Sequence, residues 1–486
     1  MMASVPFPAG SGADTGARQK QGFLRPFDKA EWRQFLNWAL VWLVLANVAF
    51  ATMWIIGAPP RSPEIYAAAA IGLLLRRAPV WVQGAGFVAS MVYSVLGFIA
   101  GLFNLSILSL VHSLKFFAEI NPANSWEYIA GSLLLVAIVL GAMWLMRRPK
   151  AFEDFRLVLL AIAATFILAK VDGYMGKGMR GHYKRAAEVG TPFVSASALA
   201  HFTPVAGAPK RNLMLIMVES LGEPVSNAEM SRLLFARYND PSVTERFDLS
   251  SGDTTYYNST TAGEMRELCG RWGDYYEVLE DKDASCLPAQ LARQGYETRA
   301  YHSFTGAFFE RSTWYPNIGF QSQQFAEDLF KRGVRECGGV FPGVCDRDIP
   351  ALLAEDLKAA TKPQFVYWLT VNSHLPVPPG MNLDVDNCEK ISPLLASDYP
   401  MICRQFALWD QMDQAIIREI TAADFPETDI LIVGDHMPPY YDRHHRSQFA
   451  PDRVPYLMLR WKGDAADEGS AQVTTAKHDA SDGIAG

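Results

Sequence analysis

A membrane anchor of five helices, followed by an α/β domain with a mostly parallel sheet, is the architecture this sequence predicts. Three observations predict it. Apolar residues are concentrated in the first ~175 positions, in runs long enough to cross a bilayer. Beyond them, short continuous apolar runs alternate with helical patterns. All six cysteines, Cys269, Cys286, Cys337, Cys345, Cys388 and Cys403, lie in that second part.

A span needs about 20 apolar residues. Segments 35–57, 79–103, 125–146 and 155–174 meet that requirement. The run "EIYAAAAIGLLL" (64–75) is shorter, and charge decides for it. With it counted, Arg18, Lys20, Arg25, Lys29 and Arg33 share one side with Arg76, Arg77, Arg147, Arg148, Lys150 and Arg156. Only Arg61 and Lys115 fall in the opposite short loops. This is the positive-inside asymmetry, which places the N-terminus in the cytoplasm and the chain after residue 175 outside. Trp126 and Trp144 bracket the fourth span, as interfacial aromatics do. The first span is too long and wrongly flanked for a cleaved signal peptide. "NLSILSLVHSLKFFAEI" (104–120) is amphipathic and suits the outer interface, with His112 and Lys115 as its polar residues. The expected division is a membrane domain over 1–174, a connector on the membrane over 175–211, an α/β domain over 212–462 and a disordered polar tail over 463–486.

In the second part, "LMLIMV" (213–218), "FVYWLTV" (365–371), "DILIV" (429–433) and "PYLMLR" (455–460) read as strands covered on both faces, with "YETRAY" (296–301) as a weaker fifth. Between them "CLPAQLARQGY", "IPALLAEDLKAA" and "ALWDQMDQAIIREIT" read as helices. In open α/β sheets ligands bind beyond the carboxyl ends of strands. There the sequence has Glu219 after the first strand, His302 after the weak one, His374 in "NSHLP", and Asp435 with His436 in "GDHMPP".

The even cysteine count in one domain predicts disulfides and an oxidising compartment, on the same side as the charge rule requires. Sequence does not fix which of fifteen connectivities forms. Nearest-neighbour pairing would join Cys269 to Cys286, Cys337 to Cys345 and Cys388 to Cys403. A net charge of −7 carries no basic footprint and excludes a nucleic-acid partner.

"NSTTAGEMRELCG" (258–270) offers three adjacent hydroxyls, Ser259, Thr260 and Thr261. A threonine is a nucleophile at neutral pH only if its pKa is lowered. Glu219, Asp435 and His436 supply two carboxylates and an imidazole, so a divalent metal there leaves a position for one hydroxyl as ligand and nucleophile together. "TAGE" has the capping-box spacing, and a helix beginning there would favour an anionic alkoxide and a phosphate. The residues alone do not choose among the hydroxyls.

At these positions the sequence resembles the alkaline phosphatase and sulfatase superfamily. More narrowly it resembles the membrane-anchored transferases of bacterial envelopes: lipoteichoic acid synthase, the phosphoglycerol transferase of periplasmic glucans, and the lipid A phosphoethanolamine transferases. The resemblance implies a sulfatase-like α/β/α domain. It maps the family's first metal carboxylate onto Glu219 in "LIMVES" and its Asp-His pair onto Asp435 and His436. The nucleophile maps onto Thr260, because Ala262, Gly263, Glu264 and Cys269 match the residues that follow it. "YHSFTGAFFERSTWY" and "VNSHLP" resemble the segments that contact the transferred phosphoryl group, which implies His302, Arg311 and His374. Phe309 stands where the synthase has a tryptophan and so falls in the substrate site; in "DRHHRS", His444 and His445 are either both solvated or one of them, His445, contacts substrate. The phosphoethanolamine enzymes also carry close cysteine pairs. "CLPAQ" (286–290) begins like the C/S-x-P-x-R signature of true sulfatases but ends in Gln290.

What this implies is a multi-pass protein of the bacterial cytoplasmic membrane, expected as a monomer, with its catalytic domain on the periplasmic or extracellular side. One divalent metal is expected, Zn²⁺ or Mn²⁺ rather than Ca²⁺. The phospholipid donor gives its head group, phosphoglycerol or phosphoethanolamine, to Thr260 and then to an envelope glycan or glycolipid acceptor. Hydrolysis at the same metal site, as a phosphodiesterase, phosphatase or sulfatase-type enzyme, is the alternative.

Overall fold

The computed structural model describes residues 27–51, 61–102, 126–147, 151–176, 190–204, 210–440 and 443–463, together with positions 54, 107 and 187. The interfacial segment 104–120 (apart from Ile107), the basic residues Arg18, Lys20, Arg25, Arg148 and Lys150, much of the connector, and the tail beyond 463 lie outside the described residues.

The anchor is helical. α1 (Lys29–Ala51) opens at Asp28, whose carboxylate accepts the Ala30 and Glu31 amides at 2.6 and 3.3 Å. It passes through a π-helical turn at Leu40–Leu45. Then come α2 (Ser62–Leu74), α3 (Val80–Leu102), α4 (Trp126–Met146) and α5 (Phe155–Gly176). Among the described residues, three helices are long and apolar enough to cross a membrane: α1, α3 over Val80–Ala100 and α4 over Ile129–Met146. The 13 residues of α2 rise about 20 Å, short of a hydrocarbon core of about 30 Å. The expectation of five spans is therefore met by three candidate spans, with α2 packed against α3 and α5. Gly72 lets α2 approach, since a Cβ there would run into the Trp42 ring. Asp172 of α5 accepts Trp54 Nε1 (2.9 Å) and the Arg61 amide (2.6 Å), tying the entry of α2 to α5.

The α/β domain is built on β1 (Asn212–Val218), β2 (Phe247–Thr255), β3 (Glu297–His302), β4 (Ser322–Gln324), β5 (Glu336–Cys337), β6 (Gly343–Val344), β7 (Gln364–Leu369), β8 (Thr428–Gly434) and β9 (Arg453–Trp461). Seven form one mixed, mostly parallel sheet in the order β2-β9-β8-β1-β7-β3-β4, and β5 pairs with β6. β1 lies between β7 and β8, parallel to both, and all residues of β7 and β8 are buried, as continuous apolar runs require. Each of the five expected runs is a strand. β9 differs in running antiparallel to β8 and to β2. β2 had no apolar signal because "FDLSSGDTT" is a half-exposed edge strand, held by its ladder to β9 rather than by burial.

The helices that bear on the site are α6 (Thr260–Cys269), α7 (Leu287–Arg293), α8 (Arg311–Asn317), α9 (Ile349–Lys358) and α10 (Pro400–Ile420). The three expected helical patterns are α7, α9 and most of α10. Three disulfides form, Cys269–Cys286, Cys337–Cys345 and Cys388–Cys403, which is the nearest-neighbour pairing. The first fastens the C-terminus of α6 to the start of α7.

Candidate active site

β1 ends at Val218, and the chain turns through Glu219 and Ser220, the latter with φ of 57°. The turn is pinned on three sides. Thr370 Oγ1 accepts the Glu219 amide (2.9 Å), Ser373 Oγ donates to the Glu219 carbonyl (2.6 Å), and the Ser220 amide donates to Asp435 Oδ1 (2.7 Å). Asp435 follows β8, whose Gly434 is in register with Val218, so adjacent parallel strands deliver both carboxylates to one place. The His436 amide also donates to Asp435 Oδ1 (2.6 Å). Oδ1 is thus filled, while the buried Oδ2 has no hydrogen-bond partner among the described residues. His436 Nδ1–H donates to the Met437 carbonyl (2.9 Å), which turns Nε2 toward Glu219 Oε1 and Asp435 Oδ2, each at 3.4 Å.

Thr260 is the first residue of α6, after Ser259 at the N-cap. Its Oγ1 lies 3.2 Å from Glu219 Oε2 and 3.3 Å from His436 Nε2. Thr261 points elsewhere and donates to Asp274 Oδ1 at 2.6 Å. The capping box expected from "TAGE" does not form, because Glu264 is engaged on the other flank of the helix. Gly263 permits the close approach of α6: a Cβ there would lie 3.2 Å from the Asp435 carbonyl oxygen and 3.3 Å from its Cα.

Ligand atoms of Glu219, Asp435 and His436 lie within 4.8 Å of one another, all buried. Burial, and then the Glu219 charge, push the Asp435 carboxyl above its usual range. Burial also works against ionised Glu219, but His374 and His436 hold that carboxyl below its usual range. An acceptor oxygen without a hydrogen-bond donor among the described residues, in a buried cluster of two carboxylates and one imidazole, fits a divalent cation. Oxygen and imidazole donors suit Zn²⁺ or Mn²⁺. The other cluster of metal-competent residues, Cys269, Asp283 and Cys286, has both its sulfurs in a disulfide.

On the far flank of α6, buried Glu264 accepts Arg311 Nε (3.1 Å) and Nη2 (2.8 Å) and the hydroxyls of Tyr315 (2.5 Å) and Tyr367 (3.1 Å). Arg311 Nη1 donates to the Phe308 carbonyl (3.2 Å) and lies 3.4 Å from His302 Nε2. His302 Nδ1–H donates to the Leu369 carbonyl (3.1 Å). Burial, reinforced by the Arg311 charge, holds this imidazole well below its usual pKa, so it is neutral. His374 donates Nδ1–H to the Leu375 carbonyl (2.8 Å) and packs on Phe341 with centroids 4.1 Å apart. Burial lowers its pKa, against the pull of Glu219. Phe309, at φ of 54°, has its ring 5.4 Å from the Arg311 guanidinium carbon and 5.8 Å from the Tyr275 ring.

Glu219, Thr260, Asp435 and His436 thus form one cluster, and His302, Phe309 and Arg311 another, with His374 coupled electrostatically to Glu219. His445 belongs to a third, half-buried between Tyr399 (5.4 Å) and Tyr440 (5.6 Å). Sequence reasoning missed Tyr315, Tyr367, Arg266 and Glu267. Tyrosines in a helix and a strand carry no site signal, and nothing local to "GEMREL" shows that every residue of α6 is buried. Cys286 of "CLPAQ" is disulfide-bonded and is not available for conversion to formylglycine.

The Sulfatase family model matches residues 211–483. No curated protein is matched by the sequence. Among solved structures, the lipoteichoic acid synthase LtaP from Listeria monocytogenes is similar at 15% identity, covering 56% of this chain and 71% of that one, with a TM-score of 0.40. The Streptococcus pyogenes phosphoglycerol transferase GacH, solved with sn-glycerol-1-phosphate, is similar at 17% identity, covering 54% and 72%, with a TM-score of 0.37. The lipooligosaccharide phosphoethanolamine transferase A from Neisseria meningitidis is similar at 13% identity over 86% of this chain and 88% of that one, with a TM-score of 0.38. The family match spans more than half of the chain and takes in the whole sheet from β1 to β9, so the chain belongs to the sulfatase family of the alkaline phosphatase superfamily.

Proposed function

We propose that this protein is a membrane-anchored phosphotransferase that moves a phospholipid head group, phosphoglycerol or phosphoethanolamine, through Thr260 to an envelope glycan or glycolipid. The position of the Thr260 hydroxyl between Glu219 and His436, at the N-terminus of α6, carries this reading. Glu219, Asp435 and His436, with Thr260 as fourth donor, would hold one Zn²⁺ or Mn²⁺, whose Lewis acidity lowers the pKa of a hydroxyl. Thr260 Oγ gives up its proton and attacks phosphorus, the bond to the diacylglycerol oxygen breaks, diacylglycerol leaves as the alcohol on taking up a proton, and the head group stays on Thr260. The amide end of α6 and the charge of the Arg311 guanidinium meet the charge on the phosphoryl oxygens. His374, coupled electrostatically to Glu219, would take the proton of the second substrate's hydroxyl as that oxygen displaces Thr260. His302, with Nδ1–H engaged to the Leu369 carbonyl, orients Arg311 rather than donating to phosphate.

Residues 1–174 anchor the enzyme in the bacterial cytoplasmic membrane, 175–211 connect, 212–462 work on the outer side, and 463–486 form a tail. The donor is confined to the bilayer, so tethering raises its effective concentration. All the proposed groups come from one chain, so a monomer suffices. Incubation with phosphatidylglycerol or phosphatidylethanolamine, followed by mass analysis of the Thr260 peptide, tests the reading. A head-group adduct on Thr260 is expected, and its mass identifies the donor. Turnover with Thr260 never modified would overturn it.

A further inference from the structure

We infer that Arg266 and Glu267 are positioning residues that make the docked connector part of the metal-competent loop. The inference rests on the metal reading proposed above. These adjacent residues of α6 are 1% and 2% exposed and form an ion pair of 2.6 Å between Arg266 Nε and Glu267 Oε1. Each reaches a different element. Arg266 donates through Nη2 to the Gly434 carbonyl (2.8 Å) and through Nη1 to the Asp435 carbonyl (3.4 Å). Glu267 faces the connector, where Oε1 accepts the Ala196 amide (3.0 Å) and Oε2 the Ser197 amide (2.8 Å). Ser195 Oγ accepts the next free amide of that turn, from Ala198, at 3.2 Å.

A buried charge is stable only while its partners are present. Among the described residues, Ser197 is the donor to Glu267 Oε2. If the connector leaves, that oxygen loses its donor, and the ion pair that aims Arg266 at β8 loses its other support. The two carbonyls that Arg266 holds flank the Cα of Asp435, whose Oδ2 is the orphaned acceptor of the site. Gly263, one turn earlier, packs the same helix on the Asp435 backbone. The chain leaving the membrane thus touches Asp435 through two side chains, with no part in the chemistry itself.

The test is Mn²⁺ titration of the full chain in detergent, with free Mn²⁺ followed by electron paramagnetic resonance. Glu267→Gln and Arg266→Lys should each weaken binding about tenfold or more, the usual effect of losing a group that orients a metal ligand. Ala196→Pro lies outside the α/β domain and removes one amide from Glu267. Proline is tolerated in a first turn, and Ser195 is already extended at φ −135° and ψ 154°. Its effect should be largely absent in the Glu267→Gln background, because both act through one contact. The unmodified protein gives a test that no folding defect can obscure. Coupling is reciprocal, so Mn²⁺ should slow hydrogen exchange at the Ala196 and Ser197 amides. Exchange indifferent to Mn²⁺ in a chain that binds Mn²⁺, or unchanged affinity in folded Glu267→Gln, overturns the inference. A wild-type chain that binds neither Mn²⁺ nor Zn²⁺ overturns the metal reading itself.

Discussion

The two flanks of α6 hold buried carboxylates in opposite conditions. On one, both oxygens of Glu264 are filled by Arg311, Tyr315 and Tyr367, and its charge is matched by the arginine. On the other, Glu219 accepts only the neutral hydroxyls of Ser220 and Thr260, one imidazole stands 3.4 Å from both carboxylates, and Asp435 Oδ2 has no hydrogen bond among the described residues. Burial is the same for both, so burial does not mark the candidate centre. The surplus of acceptors over donors does, because an uncompensated buried carboxylate is tolerable only where something else supplies positive charge. Glu264 is the counter-case, a carboxylate that positions Arg311 and has no capacity left for a ligand.

Substitutions can break or sharpen this contrast. The largest effect is expected at Thr260. Thr260→Ala should abolish head-group transfer from a fluorescent phospholipid while metal content, assayed in parallel, is retained through Glu219, Asp435 and His436. Arg311→Ala comes next, with turnover down on the order of 10²-fold and metal kept, as for loss of one oxyanion donor. The two carboxylate regions should then differ in sign. Glu264→Ala strands buried Arg311 and should cost roughly 3–5 kcal/mol in denaturant unfolding. Asp435→Asn removes like-charge repulsion, so unfolding in chelator should occur at higher denaturant than for wild type, although metal is lost. A decrease there would mean that the cluster is not short of positive charge.

Asp413 on α10 is an intermediate case, with one neutral donor, the Tyr238 hydroxyl at 2.9 Å. Burial pushes its carboxyl from 3.8 to about 7. Because the folded value is the higher one, Asp413 adds stability below the unfolded value, and that contribution is lost as pH rises toward 7. Asp413→Asn should flatten that part of the stability profile; an unchanged slope would count against the shift. The smallest effect belongs to Thr261→Ala, which loses only the Asp274 bond, about 1 kcal/mol, with transfer nearly intact.

Much of the centre was legible because strand ends are. A continuous apolar run predicts a covered strand, and the first charged residue after it marks the sheet's carboxyl edge, which is how Glu219, His302 and Asp435 could be named. The choice of Thr260 over Thr261 needed family resemblance, since only the packed structure turns one hydroxyl toward Glu219 and the other toward Asp274. The Glu264 and Glu267 networks were illegible for a different reason. Their partners come from β7, α8 and the connector, and no local pattern signals a contact across that distance. In the anchor, charge placement argued for counting 64–75 as a span, whereas helix length does not support it.

The sheet order has a consequence for assembly. β8 lies between β1 and β9, yet it is made long after β1. A chain made in N-to-C order presents Glu219 and Thr260 while the slot beside β1 is still vacant. Asp435 and His436 arrive only when β8 fills that slot. The four-residue cluster is therefore completed only when β8 takes its place in the sheet, and a chain cut short before β8 would hold Glu219 and Thr260 without Asp435 and His436.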